Sequence, residues 1–213
     1  MDWRAPVDLY CERTGPGVWA EPVNALTNGA FLLAAADAWR RAGPGAPADL
    51  RALCVLMALV GAGSFTFHTV AEAWASVLDV AFIALFVLVF IHRALVRLHG
   101  TSTLRATLGV VITVALTATL ASTVSLPLLN GSELYLGPWA ALIALALTCP
   151  SAEPRRWLIR AAGLFALSMV LRSVDLALCE RLPLGTHFLW HVNNAAVLWC
   201  GMRALLAPHA ANG

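Results

Sequence analysis

Hydrophobic residues are gathered into seven long stretches, and short segments rich in glycine, proline or polar residues separate them. A helix needs about 20 mostly apolar residues to cross the hydrocarbon core of a membrane, and most of the stretches have about that length. The fifth is shorter, because Gly137-Pro138 can delay the start of its helix. The pattern predicts an all-α integral membrane protein with seven transmembrane helices. The stretches are 21–40, 51–69, 75–98, 104–124, 134–149, 157–177 and 187–206.

Composition agrees with this pattern. Of the 213 residues, 60% are hydrophobic and 12% are charged, whereas soluble domains carry about 25% charged residues. A soluble domain of this composition would expose large apolar patches. The net charge of +2 comes without a dense basic cluster, so no nucleic-acid partner is expected. We therefore expect an N-terminal segment (1–20) that is not a signal peptide, a seven-helix domain (21–206) and a short tail (207–213).

The arginines predict the orientation. An odd number of spans places the two termini on opposite sides, and ten of the 14 basic residues fall on the side of the C-terminus. Arginine excess marks the cytoplasmic face, so we expect the N-terminal segment outside and the tail in the cytoplasm. All 14 basic residues are arginine, which favours a bacterial source and hence the inner membrane. The ten are Arg40, Arg41, Arg51, Arg93, Arg97, Arg105, Arg155, Arg156, Arg160 and Arg203.

Four ionisable side chains from three predicted spans share one depth near the external end: His68, Asp79, His187 and His191. Ionisable groups at such positions are costly and mark function by default. His187 and His191 are four residues apart and share a helix face; Ser64 stands in the same relation to His68. Three imidazoles at one depth suggest catalytic zinc, which takes three protein ligands and leaves a position for water. Asp79 would be the carboxylate beside that water.

Other interpretations of these residues remain open. A histidine at a helix end commonly bonds a neighbouring carbonyl, and an aspartate in a first turn is favoured by the helix dipole. Histidine pairs on facing helices can also ligate haem. In the N-terminal region, Asp8, Glu12 and Glu21 could form an oxygen-rich calcium site. They could equally be a solvated acidic loop with helix caps, which is the simpler interpretation of their spacing.

Three blocks of sequence carry a family resemblance. The first joins Tyr10-Cys11-Glu12 to the run from Ala20 to Asn28, the second is Ser64-x-x-x-His68 with Asp79, and the third runs from Asp175 to Glu180 and into His187-Phe188-Leu189-Trp190-His191. Together and in this order they resemble the alkaline ceramidase family. That family belongs to a wider group of seven-helix membrane hydrolases that includes the adiponectin and progestin receptors.

The resemblance implies a role for each matching residue. His68, His187 and His191 would be zinc ligands, Asp79 the acid that activates water, and Ser64 the group that stabilises the oxyanion. Cys11 and Cys179 would form a disulfide, and Glu12 and Glu21 would bind calcium. The calcium motif departs from the family's Asp-Trp-Cys-Glu: Leu9 and Tyr10 precede Cys11, Asp8 is displaced by one residue, and Thr14 replaces an asparagine.

The expected function is that of a zinc-dependent membrane amide hydrolase. It would cleave the N-acyl bond of ceramide or a related lipid to a fatty acid and a sphingoid-like amine. Many bacteria lack sphingolipids, so another acyl amide or an ester is also a candidate substrate. Two other classes remain: a lipid-sensing receptor or scaffold with structural zinc, and a haem-binding membrane protein.

The arginine asymmetry predicts a topology that reporter fusions can test. Fusions near residues 45, 100 and 153 should report the cytoplasm, and fusions near 130 and 183 the external side. The reason is the cost of moving arginine-rich loops across the membrane. Exchanged signals would contradict both the orientation and the external position of the histidines.

Overall fold

The computed structural model describes residues 2–15, 17–124 and 126–207, and within them the regular structure is helical apart from one isolated bridge between Pro6 and Glu72. The all-α prediction is therefore confirmed for these residues, while the tail predicted at 207–213 lies outside them beyond Ala207. The helices are α1 (Pro22–Thr27), α2 (Gly29–Ala42), α3 (Ala48–Val70), α4 (Ala73–His99), α5 (Thr103–Thr123), α6 (Leu136–Thr148), α7 (Ala152–Ser173), α8 (Asp175–Leu178) and α9 (His187–Leu206).

Each predicted stretch contains a helix, with two differences in detail. The first stretch is divided at Asn28 into α1 and α2. The helix of the sixth stretch, α7, begins at Ala152 instead of 157. This earlier start is possible because Pro154 falls in the first turn, where the missing N–H costs no hydrogen bond. The fifth stretch is short as expected, since α6 has 13 residues and a 3₁₀ turn, Ser132–Tyr135, precedes it.

Three helices in the described part of the chain are long and apolar enough to cross a membrane: α3, α4 and α5. The outer surface of α5 is apolar along its length, since Leu104, Leu108, Val111 and Ile112 are all more than half exposed. Contiguous apolar surface of this kind marks contact with lipid or with a partner. These helices indicate membrane association.

The long helices close into a ring. Each of α2 to α7 packs against the next, and α9 packs against both α7 and α2. Consecutive long helices run in opposite directions. The C-terminal end of α3 and the N-terminal ends of α1, α4 and α9 therefore meet at one end of the bundle. Close contact between α2 and α3 depends on Gly61, where a Cβ would lie 2.9 Å from that of Phe31; small residues serve this purpose in membrane bundles.

The N-terminal segment is fixed against that end of the bundle. Main-chain hydrogen bonds tie it to the turn between α3 and α4, as between Val7 N and Ala71 O at 2.8 Å and between Ala73 N and Ala5 O at 3.0 Å. The predicted disulfide between Cys11 and Cys179 is confirmed, with the two Cα atoms 5.2 Å apart. It connects the segment to the loop before α9.

Removing the disulfide should destabilise the protein. It links residues 168 positions apart, which corresponds to at most about 5 kcal/mol on the chain-entropy description of cross-links, and to less in a membrane that already orders the helices. The variant Cys11→Ser should melt at a lower temperature than the wild type in the same detergent. Reductant should lower the melting temperature of the wild type alone; equal melting temperatures for both proteins without reductant would contradict this role.

Candidate metal centre

Three histidines converge at the end of the bundle where the N-terminal segment packs. His68 lies in the last turn of α3, while His187 begins α9 and His191 follows one turn later. Each offers one ring nitrogen, and these nitrogens all lie within 4.8 Å of one another. All three rings are buried, with His68 fully inaccessible. The convergence expected from their common depth is present, and the group could hold a metal ion.

Each histidine presents a buried ring nitrogen with no hydrogen-bond partner among the described residues. These atoms are Nε2 of His68, Nδ1 of His187 and Nε2 of His191. Leaving a buried polar group unpaired costs about 1–3 kcal/mol, and three such atoms in one place indicate a missing common partner. Three imidazole nitrogens fit a divalent transition metal, and this donor set suits zinc, copper, iron and nickel alike.

The surroundings of two histidines fix which nitrogen carries the proton. His68 Nδ1 lies 2.6 Å from Glu21 Oε2, and an ionised carboxylate only accepts, so Nδ1 donates and Nε2 keeps its lone pair. His191 Nδ1 lies 3.0 Å from the Thr27 hydroxyl, whose proton goes to Val23 O at 2.8 Å. His191 Nδ1 is therefore a donor too. Metal-binding histidines are held in this way, by donating their second nitrogen to a carboxylate or other acceptor.

Tyr10 joins the N-terminal segment to the histidines. Its ring stacks on that of His187, with centroids 3.4 Å apart and planes 11° from parallel. Burial raises the pKa of the Tyr10 phenol well above its usual range, so the phenol stays protonated. The sequence analysis placed Tyr10 and Thr27 in the first resemblance block but gave neither of them a role. The signal for Tyr10 was the aromatic character of that position, whereas nothing local marks Thr27.

Asp175 anchors the first turn of α9. It is fully buried, and its Oδ1 accepts the main-chain N–H groups of Thr186 at 2.6 Å and His187 at 2.8 Å. Its Oδ2 accepts Cys11 N at 3.0 Å. The loop passes so close that a Cβ on Gly185, whose φ is +62°, would collide with the carboxylate. Asp175 belongs to a resemblance block but was given no role.

Asp79 and Ser64 face the same cavity as two of the histidines. His187 and His191 line the polar end of this cavity. Asp79 Oδ1 is buried without a partner among the described residues, and the Ser64 hydroxyl is a hydrogen-bonding neighbour of the Asp79 carboxyl. The remaining walls are mainly apolar, including Phe31, Val60, Ile83, Val87, Phe165, Val197 and Leu198.

The acidic residues proposed for calcium are not gathered into a site. Glu12 caps α1, because its two oxygens accept Val23 N at 2.6 Å and Asn24 N at 2.7 Å. Both oxygens of Glu21 accept side-chain donors, and Asp8 is exposed. Within residues 2–15, 17–124 and 126–207, the histidine group is the one convergence of metal-ligand side chains. The helix-capping interpretation fits Glu12, the Glu21 oxygens already accept protein donors, and calcium binding stays a prediction of the resemblance.

The chain matches no protein-family model, and a comparison with curated proteins finds no significant match. The resemblance to alkaline ceramidases therefore stays an expectation from the sequence blocks. What the protein does has to be argued from the residues around the histidine group.

Replacing any of the three histidines should remove the bound metal. His68→Ala, His187→Ala and His191→Ala each leave two nitrogen ligands, too few to hold a divalent ion against dilution. Metal content per protein, measured by mass spectrometry after purification without chelators, should fall to background. His92→Ala is the matched control, because His92 lies toward the C-terminal end of α4 and outside the group. A full equivalent of metal in His191→Ala would contradict the assignment.

Proposed function

We propose that this protein is a zinc-dependent amide hydrolase of the membrane, resembling alkaline ceramidases. It cleaves the N-acyl bond of ceramide or a related acyl amide lipid and releases a fatty acid and a sphingoid-like amine. One observation carries the proposal: three buried imidazole nitrogens without partners among the described residues converge, and two of these histidines line an apolar cavity together with Asp79 and Ser64. The zinc identity, the seven spans and the lipid substrate belong to this proposal.

The proposed membrane arrangement has seven spans, with the histidine group near the external face. The closed ring of helices supports seven spans. At the opposite end, Arg41, Arg160 and Arg203 pack over the rings of Trp157 and Trp199. Tryptophan and arginine concentrate at membrane interfaces, and arginine on the cytoplasmic side. In a bacterium this would place the site toward the periplasm.

The proposed mechanism assigns the chemistry to residues already close together. His68, His187 and His191 would hold the ion, which when bound would activate water and polarise a carbonyl group. Asp79 accepts the proton of the attacking water and returns it to the amide nitrogen as the C–N bond breaks. Ser64 donates a hydrogen bond to the carbonyl oxygen while that oxygen gains negative charge. The products are one carboxylic acid and one amine.

The apolar walls of the cavity support a lipid substrate. Phe31, Val87 and Phe165 line it beyond the polar end, and a hydrocarbon chain gains about 0.8 kcal/mol for each buried methylene group. A chain lying among these residues would present its amide group to Asp79 and Ser64. An ester would present its carbonyl in the same way, so an ester lipid remains a second substrate class.

Two other functions fit the site less well. A structural zinc site is usually closed by four protein ligands, whereas here three histidines converge and Asp79 keeps an unpartnered oxygen facing the cavity. Haem needs space for its flat ring between two histidines, and the three imidazole centroids are only 4.5–5.1 Å apart. Calcium has no part in the proposal, since Glu12 and Glu21 are already paired.

The sharpest test separates metal binding from hydrolysis. Asp79→Asn keeps the shape of the side chain and removes the base, so zinc content should stay at the wild-type value while amide hydrolysis falls by about 10²-fold or more. Ser64→Ala should also keep zinc and lose less activity. The measurement pairs zinc content with turnover of a lipid extract by purified protein, with products identified by mass spectrometry.

Asp37→Asn is the control, because Asp37 lies on α2 toward the opposite end of the bundle, where it pairs with Arg41. It should keep both zinc and activity. Full hydrolysis by Asp79→Asn would show that the proposed base is wrong. A wild-type protein that binds zinc but turns over no amide or ester lipid would favour a lipid-sensing receptor or scaffold with structural zinc.

A further inference from the structure

Arg13 is a buried cation next to the histidine group. Its side chain is 4% exposed, and that of its partner Glu21 is 1% exposed. The guanidinium meets three oxygens: Nε donates to Glu21 Oε1 at 2.5 Å, Nη1 to Gly15 O at 3.1 Å, and Nη2 to His68 O at 3.4 Å. A charge buried this deeply is costly unless it is paired and hydrogen-bonded, and Arg13 meets both conditions.

The contacts of Arg13 continue into the histidine group. Glu21 accepts from Arg13 on one oxygen and from His68 Nδ1 on the other, at 2.6 Å. Arg13 also reaches the main-chain carbonyl of His68 directly. His68 is therefore held from two directions, through its ring by Glu21 and through its backbone by Arg13.

We propose that Arg13 is a positioning residue of the histidine site, and that its guanidinium supplies the positive charge that the resemblance assigns to calcium. A carboxylate and two carbonyl oxygens are the atoms that a hard cation prefers, and here a side chain of the protein itself lies among them. The Glu21 carboxylate is thereby balanced without a bound ion. The protein should position His68 with no calcium present. This inference rests on the proposed function only in taking His68 to be a metal ligand.

The shape of the arginine side chain is part of the argument. A guanidinium presents donors along several directions of a rigid plane, whereas a lysine ammonium is a single point at the end of a flexible chain. One ammonium group on the shorter, differently shaped lysine side chain cannot reproduce the contacts to Glu21, Gly15 and His68 together. Charge alone is therefore not enough, and Arg13→Lys should behave as a partial loss.

The test measures zinc affinity by competition with a chromophoric chelator on purified, detergent-solubilised protein. Arg13→Gln should weaken zinc binding by about 10–100-fold, the usual effect of losing a group that orients a ligand histidine. The number of zinc ions bound at saturation should stay as in the wild type, because the three histidines remain. Arg4→Gln is the matched control, since Arg4 is exposed on the same segment, and its affinity should be unchanged.

A double variant shows whether Arg13 acts through Glu21. If it does, Arg13→Gln combined with Glu21→Gln should bind zinc no more weakly than the weaker of the two single variants, because coupled residues are not additive. Losses that add in full would overturn the proposal. Wild-type zinc affinity in Arg13→Gln would also overturn the proposal. If the glutamine variant does not fold, wild-type zinc affinity in Arg13→Lys would overturn it instead.

Calcium provides the last arm of the test. Calcium chloride added at millimolar concentration to calcium-free protein should leave the zinc affinity of the wild type unchanged; a clear increase would overturn the proposal. A wild-type protein that binds zinc but hydrolyses no lipid defeats the proposed function and leaves the affinity test of Arg13 intact. A wild-type protein that binds no zinc at all overturns both.

Discussion

The carboxylate of Asp175 is the junction on which the geometry of the histidine group depends. It binds main-chain N–H groups from two parts of the chain, Cys11 in the N-terminal segment and Thr186 with His187 at the start of α9. A negative charge at a helix N-terminus is favoured by the helix dipole, and here it also sets the position of His187. The disulfide between Cys11 and Cys179 adds a covalent link between the N-terminal segment and the loop before α9.

Burial then determines how the remaining polar atoms are used. Within an apolar bundle each imidazole nitrogen has to find a partner, because an unpaired polar group is costly there. Glu21 accepts the Nδ1 hydrogen of His68, and Thr27 accepts that of His191. The Nε2 atoms of both rings then have no hydrogen-bond partner among the described residues. For His68 and His191, the unpaired Nε2 atom is thus the consequence of pairing at Nδ1 on the other side of the ring. These two ligands are preorganised, since they hold the required tautomer before any ion arrives.

The sequence predicts the features that depend on local pattern. Hydrophobic stretches locate the long helices, and the antiparallel course of consecutive helices brings His68 near His187 and His191. Contacts between distant residues leave no such signal. Thr27 meets His191 across 164 positions, and Asp175 meets the start of α9 eleven positions later through an irregular loop. The acidic residues of the N-terminal segment suggested an ion for the same reason: sequence shows their charge but not Arg13 folded back onto Glu21.

The position of the site fits the proposed hydrolysis of an acyl amide. Hydrolysis of a lipid amide requires water and a hydrocarbon chain to meet at one carbon atom, although each favours a different medium. The histidine group lies where the N-terminal segment, with its exposed Asp8, covers the end of the helices. The apolar cavity begins at the same side chains and extends inward among Val87 and Phe165. Asp79 and Ser64 line the cavity beside these histidines, so the chain of the proposed substrate would fill the cavity and its amide bond would lie where water and the proposed base can both reach it.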